Sequence, residues 1–462
     1  MSALKPVLLL EINEIPWRFL ERYLADPRFP NLRAFFAGAE TFTTHTAPTD
    51  VLQPWTTWPS FHRGLSQVDH GIHHLSQDPA TFRGTPIWDE FRARGLDVGV
   101  CGSLQSWPPR DPGPGGFWIP DTFARDARCI PSFAEPLQAF NLGLVQENGR
   151  VPNPGVGPKR ALLGLALSLP RLGIRPRTVL SIARQLAGER RDPKRIARRT
   201  TFQTILFWDV FRKLYDPARP PAFTTFFTNH VATQMHRHWN QVFPEDFEEL
   251  GASAPTPHRE TVDFAMSVTD DILRDALSFA RANPDLRVVF ATSMGQHAVR
   301  YEHYEGYEAA VNDLGRLLDA CGMRRDQWSP ALAMVPQVAL VCPDAAMRAR
   351  LASVLRAASV PSKQLFYAEE VGETLSVTIH VPKLSDIERG TFQLGTVDGG
   401  PVREVRFESA GCSMLAVETG TGHHMPEGIL AVHGQGIPPN DARKDLQATD
   451  AKRFLMELAN LH

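Results

Sequence analysis

The stretch Val7-Leu8-Leu9-Leu10-Glu11-Ile12-Asn13-Glu14 decides the fold. Four consecutive apolar residues just after Pro6 are the pattern of a strand buried on both faces, as in a parallel sheet. The run passes into Glu11-Ile12-Asn13-Glu14 and then into a helical pattern around Trp17, Phe19, Leu20 and Tyr23. A strand that ends in a carboxylate and turns into a helix sets that carboxylate at the C-terminal edge of the sheet. Open α/β sheets bind their ligands at that edge.

Similar runs recur along the chain. Residues 95–101 follow a helical stretch at 87–94, and residues 222–227 precede Thr228-Asn229-His230. Residues 286–292 follow a helical pattern at 262–282, and residues 429–432 follow His424-Met425-Pro426-Glu427-Gly428. Strands alternating with helices predict an α/β fold, a doubly wound, mostly parallel sheet flanked by helices. The core is expected in residues 1–150, 216–330 and 411–462. Two segments interrupt it. Residues 151–215 read as a basic helical insertion, a candidate lid, and residues 331–410 read as a small α/β insertion.

The composition narrows the function. A chain of 462 residues allows two or three domains at roughly 150 residues each, or one large α/β domain with insertions. Hydrophobic residues at 43% and charged residues at 22% supply a core and argue against wholesale disorder. A net charge of −2 excludes a globally basic nucleic-acid binder, yet it hides an asymmetry. Residues 159–199 hold twelve Lys and Arg against Glu189 and Asp192, ten net positive charges, which leaves −12 on the remainder. No aromatic residue interrupts that basic stretch, so base stacking has no platform and sequence-specific nucleic acid is not an expected partner. The five cysteines are scattered and never form a CxxC pair, which predicts a reducing, cytoplasmic setting without a disulfide framework or thiolate zinc site. No apolar run approaches the roughly 18 residues of a membrane span, and the run at Val7 to Leu10 is too short for a signal-peptide core.

Three constellations could carry chemistry. The first is Pro54-Trp55-Thr56-Thr57-Trp58-Pro59-Ser60-Phe61-His62-Arg63-Gly64, followed at His70 by His-Gly-Ile. Pro59 suits the first turn of a helix that Thr57 or Ser60 would cap, and free N–H groups at a helix start suit a phosphate. A plain N-cap among buried tryptophans is the alternative. The second is Thr228-Asn229-His230 with His236 and His238. Imidazole is the commonest metal ligand, but six residues do not set His230 and His236 on one helical face, so their convergence requires a bend. The third is Gly420-Thr421-Gly422-His423-His424, where a glycine-rich turn with solvated histidines competes with a role at the sheet edge.

The order of these segments resembles the alkaline phosphatase superfamily, and within it the type I phosphodiesterase/nucleotide pyrophosphatase branch, with a more distant likeness to polysaccharide-cluster proteins. The first strand ending in Glu11 resembles the family strand that ends in an acidic metal ligand. Pro30-Asn31-Leu32, the segment from Gly64 to His70-Gly71-Ile72, and Pro86-Ile87-Trp88 with the following strand resemble successive family motifs. Asn229/His230 with His236 resembles the Asp…His metal pair, and His424-Met425-Pro426-Glu427-Gly428-Ile429 resembles the closing H-x-P-E-G-I. The likeness spans most of residues 5–120, 222–300 and 411–440. At Thr292-Ser293-Met294-Gly295-Gln296 the chain departs from it, because the family has T-S-D-H-G there and both metal-binding side chains are replaced. His297 follows at once as a substitute.

The resemblance implies a metal-dependent phosphoesterase, or a phosphoryl or phosphodiester transferase. Its substrate would be anionic, nucleotide- or glycan-linked. At most one divalent ion, zinc or manganese, is expected on Glu11, His230, His236 and His424, with Thr57 as nucleophile and His62 as its alternative activator. Thr49, Asp50, Gln53 and Thr56 compete with Thr57. Asn13, Asn229, Arg184 and Arg198 are expected at the substrate, the arginines through the basic lid. The same insertion could instead rest on anionic lipid as a peripheral membrane contact. A noncatalytic or chemically repurposed member, binding a ligand in polysaccharide or glycoconjugate biosynthesis, is the competing reading.

Overall fold

The computed structural model describes residues 3–47, 52–75, 77–148, 158–247, 258–299, 307–331, 333, 337–360, 363–379, 390–416 and 420–461. Its centre is a sheet of eight strands: β1 (Val7–Ile12), β2 (Ala39–His45), β3 (Val98–Cys101), β4 (Phe117–Ile119), β5 (Phe223–Thr228), β6 (Arg287–Ala291), β7 (Glu427–His433) and β8 (Lys444–Gln447). Their spatial order is β8-β2-β7-β6-β1-β5-β3-β4. β1 lies between β5 and β6, parallel to both, with Val7 opposite Phe223 and Arg287. β7 alone runs against its neighbours β6 and β2. The fold is therefore α/β with a large, mostly parallel central sheet flanked by helices.

Strand alternation explains the two cores. Leu8, Leu10 and Ile12 enter one apolar cluster with the helices Trp17–Leu24, Pro30–Ala37, Arg199–Leu214, His230–Val242 and Arg259–Ala282. Val7 and Leu9 enter another, with Trp58 and Phe61 of the helix Pro54–Arg63 and Trp88 of the helix Ile87–Arg92. Because successive side chains of a strand point to opposite faces, Glu11 falls on the Val7/Leu9 side and is fully buried. The family-like Pro30-Asn31-Leu32 has a structural task. Asp270 of the long helix accepts from the backbone N–H groups of Asn31 and Leu32 at 2.9 and 2.8 Å, satisfying the open start of that short helix.

The segment 151–215 is helical in its described part, but its last helix, Arg199–Leu214, is no appendage. Leu206, Phe207, Trp208, Val210 and Phe211 belong to the main core. The range 331–410 holds antiparallel strands and the helix Ala345–Ala357 around a separate apolar cluster, which also takes in Val311, Leu317, Leu318 and Cys412 from outside that range. No helix among the described residues is long and apolar enough to cross a membrane.

Candidate active site

The strand β1 ends at Ile12, and the chain turns sharply at Glu14, whose φ of 64° lies in the left-handed region. A residue with a Cβ pays strain there, so its surroundings must hold it. Those surroundings are polar and convergent. Asn13 Nδ2 donates to Glu14 Oε1 at 2.7 Å, and Gln296 Nε2 donates to Oε2. His236 Nε2 lies 2.9 Å and His424 Nε2 3.4 Å from the same Oε2. Ligand atoms of Glu14, His236 and His424 all lie within 4.8 Å of one another, the one such group of three among the described residues.

Each imidazole is fixed from behind. His236 Nδ1 donates to the carbonyl of Gly422 at 3.0 Å, and His424 Nδ1 donates to the carbonyl of Leu52 at 2.7 Å. A ring whose Nδ1–H is held by a carbonyl presents Nε2 to the site as an ion ligand or as a protonated donor; metal-ligating histidines are oriented in this way. Burial of the Glu14 carboxyl would raise its pKa, but His424 and His236 together outweigh burial and hold it far below the usual carboxylate range. Burial likewise opposes the charge on His236, and Glu14 overcomes it, leaving the imidazole pKa raised. The donor set fits a divalent ion: two oriented imidazoles and one carboxylate.

Distant segments meet here because of a two-stranded ribbon. Gly422–Met425 pairs antiparallel with Gly295–Ala298, setting His424 opposite Gln296 and His423 opposite His297. Gln296 and His424 thus share the face toward Glu14, and His297 is turned to the other face by strand alternation. His297 therefore does not substitute for the family histidine. Gly422 is required by close approach. A Cβ there would stand 2.6 Å from both the Met235 carbonyl oxygen and Gln296 Oε1.

Two expected ligands sit elsewhere. Glu11 lies inside β1 rather than at its end, and its Oε1 meets His62 Nε2 at 2.6 Å. His62 in turn stacks on Trp58 and packs on Trp88, so both groups belong to the core beneath the helix Pro54–Arg63. The other ring nitrogen of His62, Nδ1, is buried without a hydrogen-bond partner, and the Thr57 hydroxyl is bonded to Ser293 and not to His62. His230 has both ring nitrogens occupied: Nδ1 by Thr228 Oγ1 at 2.8 Å, and Nε2 by the Ala265 carbonyl and Thr269 Oγ1, each at 3.1 Å. Burial lowers its pKa to about 4, and both ring nitrogens are committed to partners other than Glu14. The helix His230–Val242 does bend, but at His238 (φ −131°), beyond both histidines.

Thr57 lies in the fourth position of a helix that starts at Pro54, not at a cap, and Pro59 stands inside the helix. Its Oγ1 shares a 2.8 Å hydrogen bond with Ser293 Oγ, both groups buried. Thr56 Oγ1 is spent on the Gln53 carbonyl, and Gln53 is the residue before the helix. Thr49 and Asp50 fall outside the described residues. Asn13 joins three elements, accepting from Trp58 Nε1 at 2.9 Å and donating from Nδ2 to Glu14 and, at 2.7 Å, to Asn229 Oδ1. Asn229 is exposed at the start of the His236 helix. Arg198 is held by Glu260 at 3.1 Å, and Arg184 is exposed on the helix Pro176–Glu189.

No protein-family model matches the chain, and no curated protein does. Solved structures are similar in overall path. Murine ectonucleotide pyrophosphatase/phosphodiesterase 5 aligns at 10% identity and a TM-score of 0.45, covering 99% of this chain and 96% of its own. Its human counterpart aligns at 10% identity and 0.43 over the same shares. Phosphonoacetate hydrolase from Sinorhizobium meliloti 1021, in complex with phosphonoformate, aligns at 14% identity and 0.42, again over 99% and 96%.

The residues missed by sequence reasoning are Glu14, Gln296 and Ser293. Glu14 had one available signal, since it is the last residue of the Glu11-Ile12-Asn13-Glu14 stretch and stands just ahead of Ile15-Pro16 and the first helix. Gln296 and Ser293 had none, because a lone amide and a lone hydroxyl carry no spacing pattern that marks a site.

Proposed function

We propose that this chain is a hydrolase or transferase acting on phosphate esters, dependent on one divalent ion, zinc or manganese, held by Glu14, His236 and His424. The observation that carries the proposal is the meeting of Glu14 Oε2 with two imidazole Nε2 atoms, each anchored through Nδ1 to a backbone carbonyl. Imidazole and carboxylate ligands suit both ions. Such an ion would supply positive charge for a phosphoryl oxygen and favour the deprotonated form of an oxygen nucleophile.

The chain's own residues do the rest. Asn13 and Gln296 fix the Glu14 carboxylate, and Asn13 also ties it to Trp58, the neighbour of Thr57. Thr57 is the candidate nucleophile. Its hydroxyl is a weak one near neutral pH and needs activation, and its hydrogen-bond partner is Ser293 Oγ, with His62 Nδ1 bonded to neither. The phosphate-ester class and the anionic, nucleotide- or glycan-linked substrate are supported by the motif order from Pro30-Asn31-Leu32 to His424-Met425-Pro426-Glu427-Gly428.

The test is elemental analysis of protein purified without chelator, joined to a screen of nitrophenyl phosphate mono- and diesters, nucleotide sugars and sulfate esters. One equivalent of metal and chelator-sensitive turnover of an ester are expected. Absence of turnover, together with tight binding of a nucleotide or glycan, would make the chain a ligand-binding protein on this fold.

A further inference from the structure

The helix Pro158–Leu172 leaves part of its apolar surface outward, and the helix Pro176–Glu189 beside it turns a polar side inward. The second buries Thr178, Gln185 and Glu189 and exposes Val179, Leu180 and Leu186. The first sends Leu165 and Leu172 into the core and exposes Leu162, Leu163 and Leu167, the last at 77%. Ile196, just beyond, is exposed as well. Of the eleven exposed large apolar residues among the described residues, seven lie in this one segment, so the patch is local and not scattered surface.

The inversion is built in. Thr178 Oγ1 donates to Asp209 of the helix Arg199–Leu214 at 2.7 Å, and the Arg175 guanidinium pairs with the same buried carboxylate. Gln185 Nε2 donates to the Arg195 carbonyl at 2.6 Å, and Glu189 takes Arg199 at 2.7 Å. On the second helix the polar stripe is thus held inward by partners, beside the half-buried Ile182, and Val179, Leu180 and Leu186 are left outward. Arg177, Arg184, Arg190 and Arg191 are exposed alongside them, within the stretch that carries ten net positive charges.

We infer that this helical pair is a docking face for the surface of an anionic lipid bilayer. An apolar stripe edged by arginines is what seats a helix in the plane of a headgroup layer: the leucines reach the acyl boundary and the guanidinium groups meet lipid phosphates and carboxylates. Charge decides between occupants. A second copy docking the same face would set the exposed Arg177, Arg184, Arg190 and Arg191 against their own like charges, whereas an anionic leaflet neutralises them. The arginines at the base of the pair are already engaged, Arg175 by the buried Asp209 and Arg198 by the surface Glu260, which disfavours the lid expected from the sequence. The face shares no residue with the Glu14 trio.

The test is co-flotation of the full chain with vesicles of phosphatidylserine and phosphatidylcholine mixed about one to three, against phosphatidylcholine alone. Binding to the mixed vesicles is expected, weaker by about tenfold or more on phosphatidylcholine and at high salt. Leu163→Ser with Leu167→Ser, and separately Val179→Ser with Leu180→Ser, are expected to weaken it by about tenfold or more. Val68→Ser, at an exposed apolar residue elsewhere, leaves it unchanged. All these sites are exposed, and an unchanged melting temperature verifies the fold of each variant. Failure to bind the mixed vesicles overturns the proposal, as does binding indifferent to the leucine and valine changes. Self-association in sedimentation that the same changes abolish would also overturn it and give the face to a second copy.

Discussion

His424 and Leu52 are joined by a 2.7 Å hydrogen bond from the imidazole Nδ1 to the backbone carbonyl. Leu52 lies two residues ahead of the helix Pro54–Arg63, so a candidate ion ligand and the helix that carries Thr57 share one anchor. The bond spans nearly the whole chain and makes the position of Thr57 depend on the segment at 422–425.

Glu14 and Glu11 separate cleanly by mutation. Glu14→Gln is expected to weaken zinc binding by at least about tenfold to a hundredfold, the loss that follows even when a ligand's outer hydrogen-bond partner is removed. Glu11→Ala is expected to leave zinc stoichiometry intact and to destabilise the fold by about 3–5 kcal/mol, since it strips the buried His62 of its partner. Calorimetric zinc titration and urea unfolding read the two effects.

Thr57→Ala is expected to abolish turnover of whichever ester is found, with the bound metal retained. Ser293→Ala, which removes the hydroxyl 2.8 Å from Thr57 Oγ1, is expected to cost about tenfold to a hundredfold in kcat with little change in KM. Full turnover by Thr57→Ala would shift the role to another oxygen.

Acid weakens the fold in a definite window. Burial lowers the imidazoles of His70, His74, His230 and His238 to about 4, against about 6.5 in the unfolded chain. The unfolded state therefore binds more protons between these values. Stability is full above about 6.5 and falls as the pH drops toward 4. Burial raises Asp121 to about 6, so its carboxyl works the other way, favouring the fold as it protonates, and offsets part of the loss. Urea unfolding from pH 7 to 4 is expected to show the decline at about 1.4 kcal/mol per pH unit for each net proton, and His74→Gln to flatten it by about one proton.

Asp209 secures the basic helices to the core. Asp209→Ala leaves Thr178 Oγ1 without its acceptor and the Arg175 guanidinium with only the more distant Asp275, and is expected to cost about 2 kcal/mol or more. Limited proteolysis within residues 171–198 is expected to quicken before the tryptophan core unfolds.

The sheet was legible from Val7-Leu8-Leu9-Leu10 and its later counterparts, because a strand buried on both faces leaves an unbroken apolar run. The carboxylate that meets His236 and His424 was not. The run stops at Glu11, but the strand continues to Ile12, so the chain reaches the sheet edge three residues after the first acid. His236 and His424 were marked by their segments, although the carbonyls that orient them belong to Gly422 and Leu52 and leave no trace in sequence. The charge of 159–199 was plain to read. The side on which its helices expose their leucines was not, because periodicity tells which residues share a face and never which face a buried Asp209 will claim.

β1 completes neither of its edges until late in synthesis. Its partners β5 and β6 begin at Phe223 and Arg287, so a chain lengthening at about 5–20 residues per second carries Val7 to Ile12 unpaired for on the order of ten seconds or longer. During that interval an apolar strand with two open edges is a template for pairing with other nascent chains. A chain interrupted before Arg287 therefore retains one open edge however well the rest has folded.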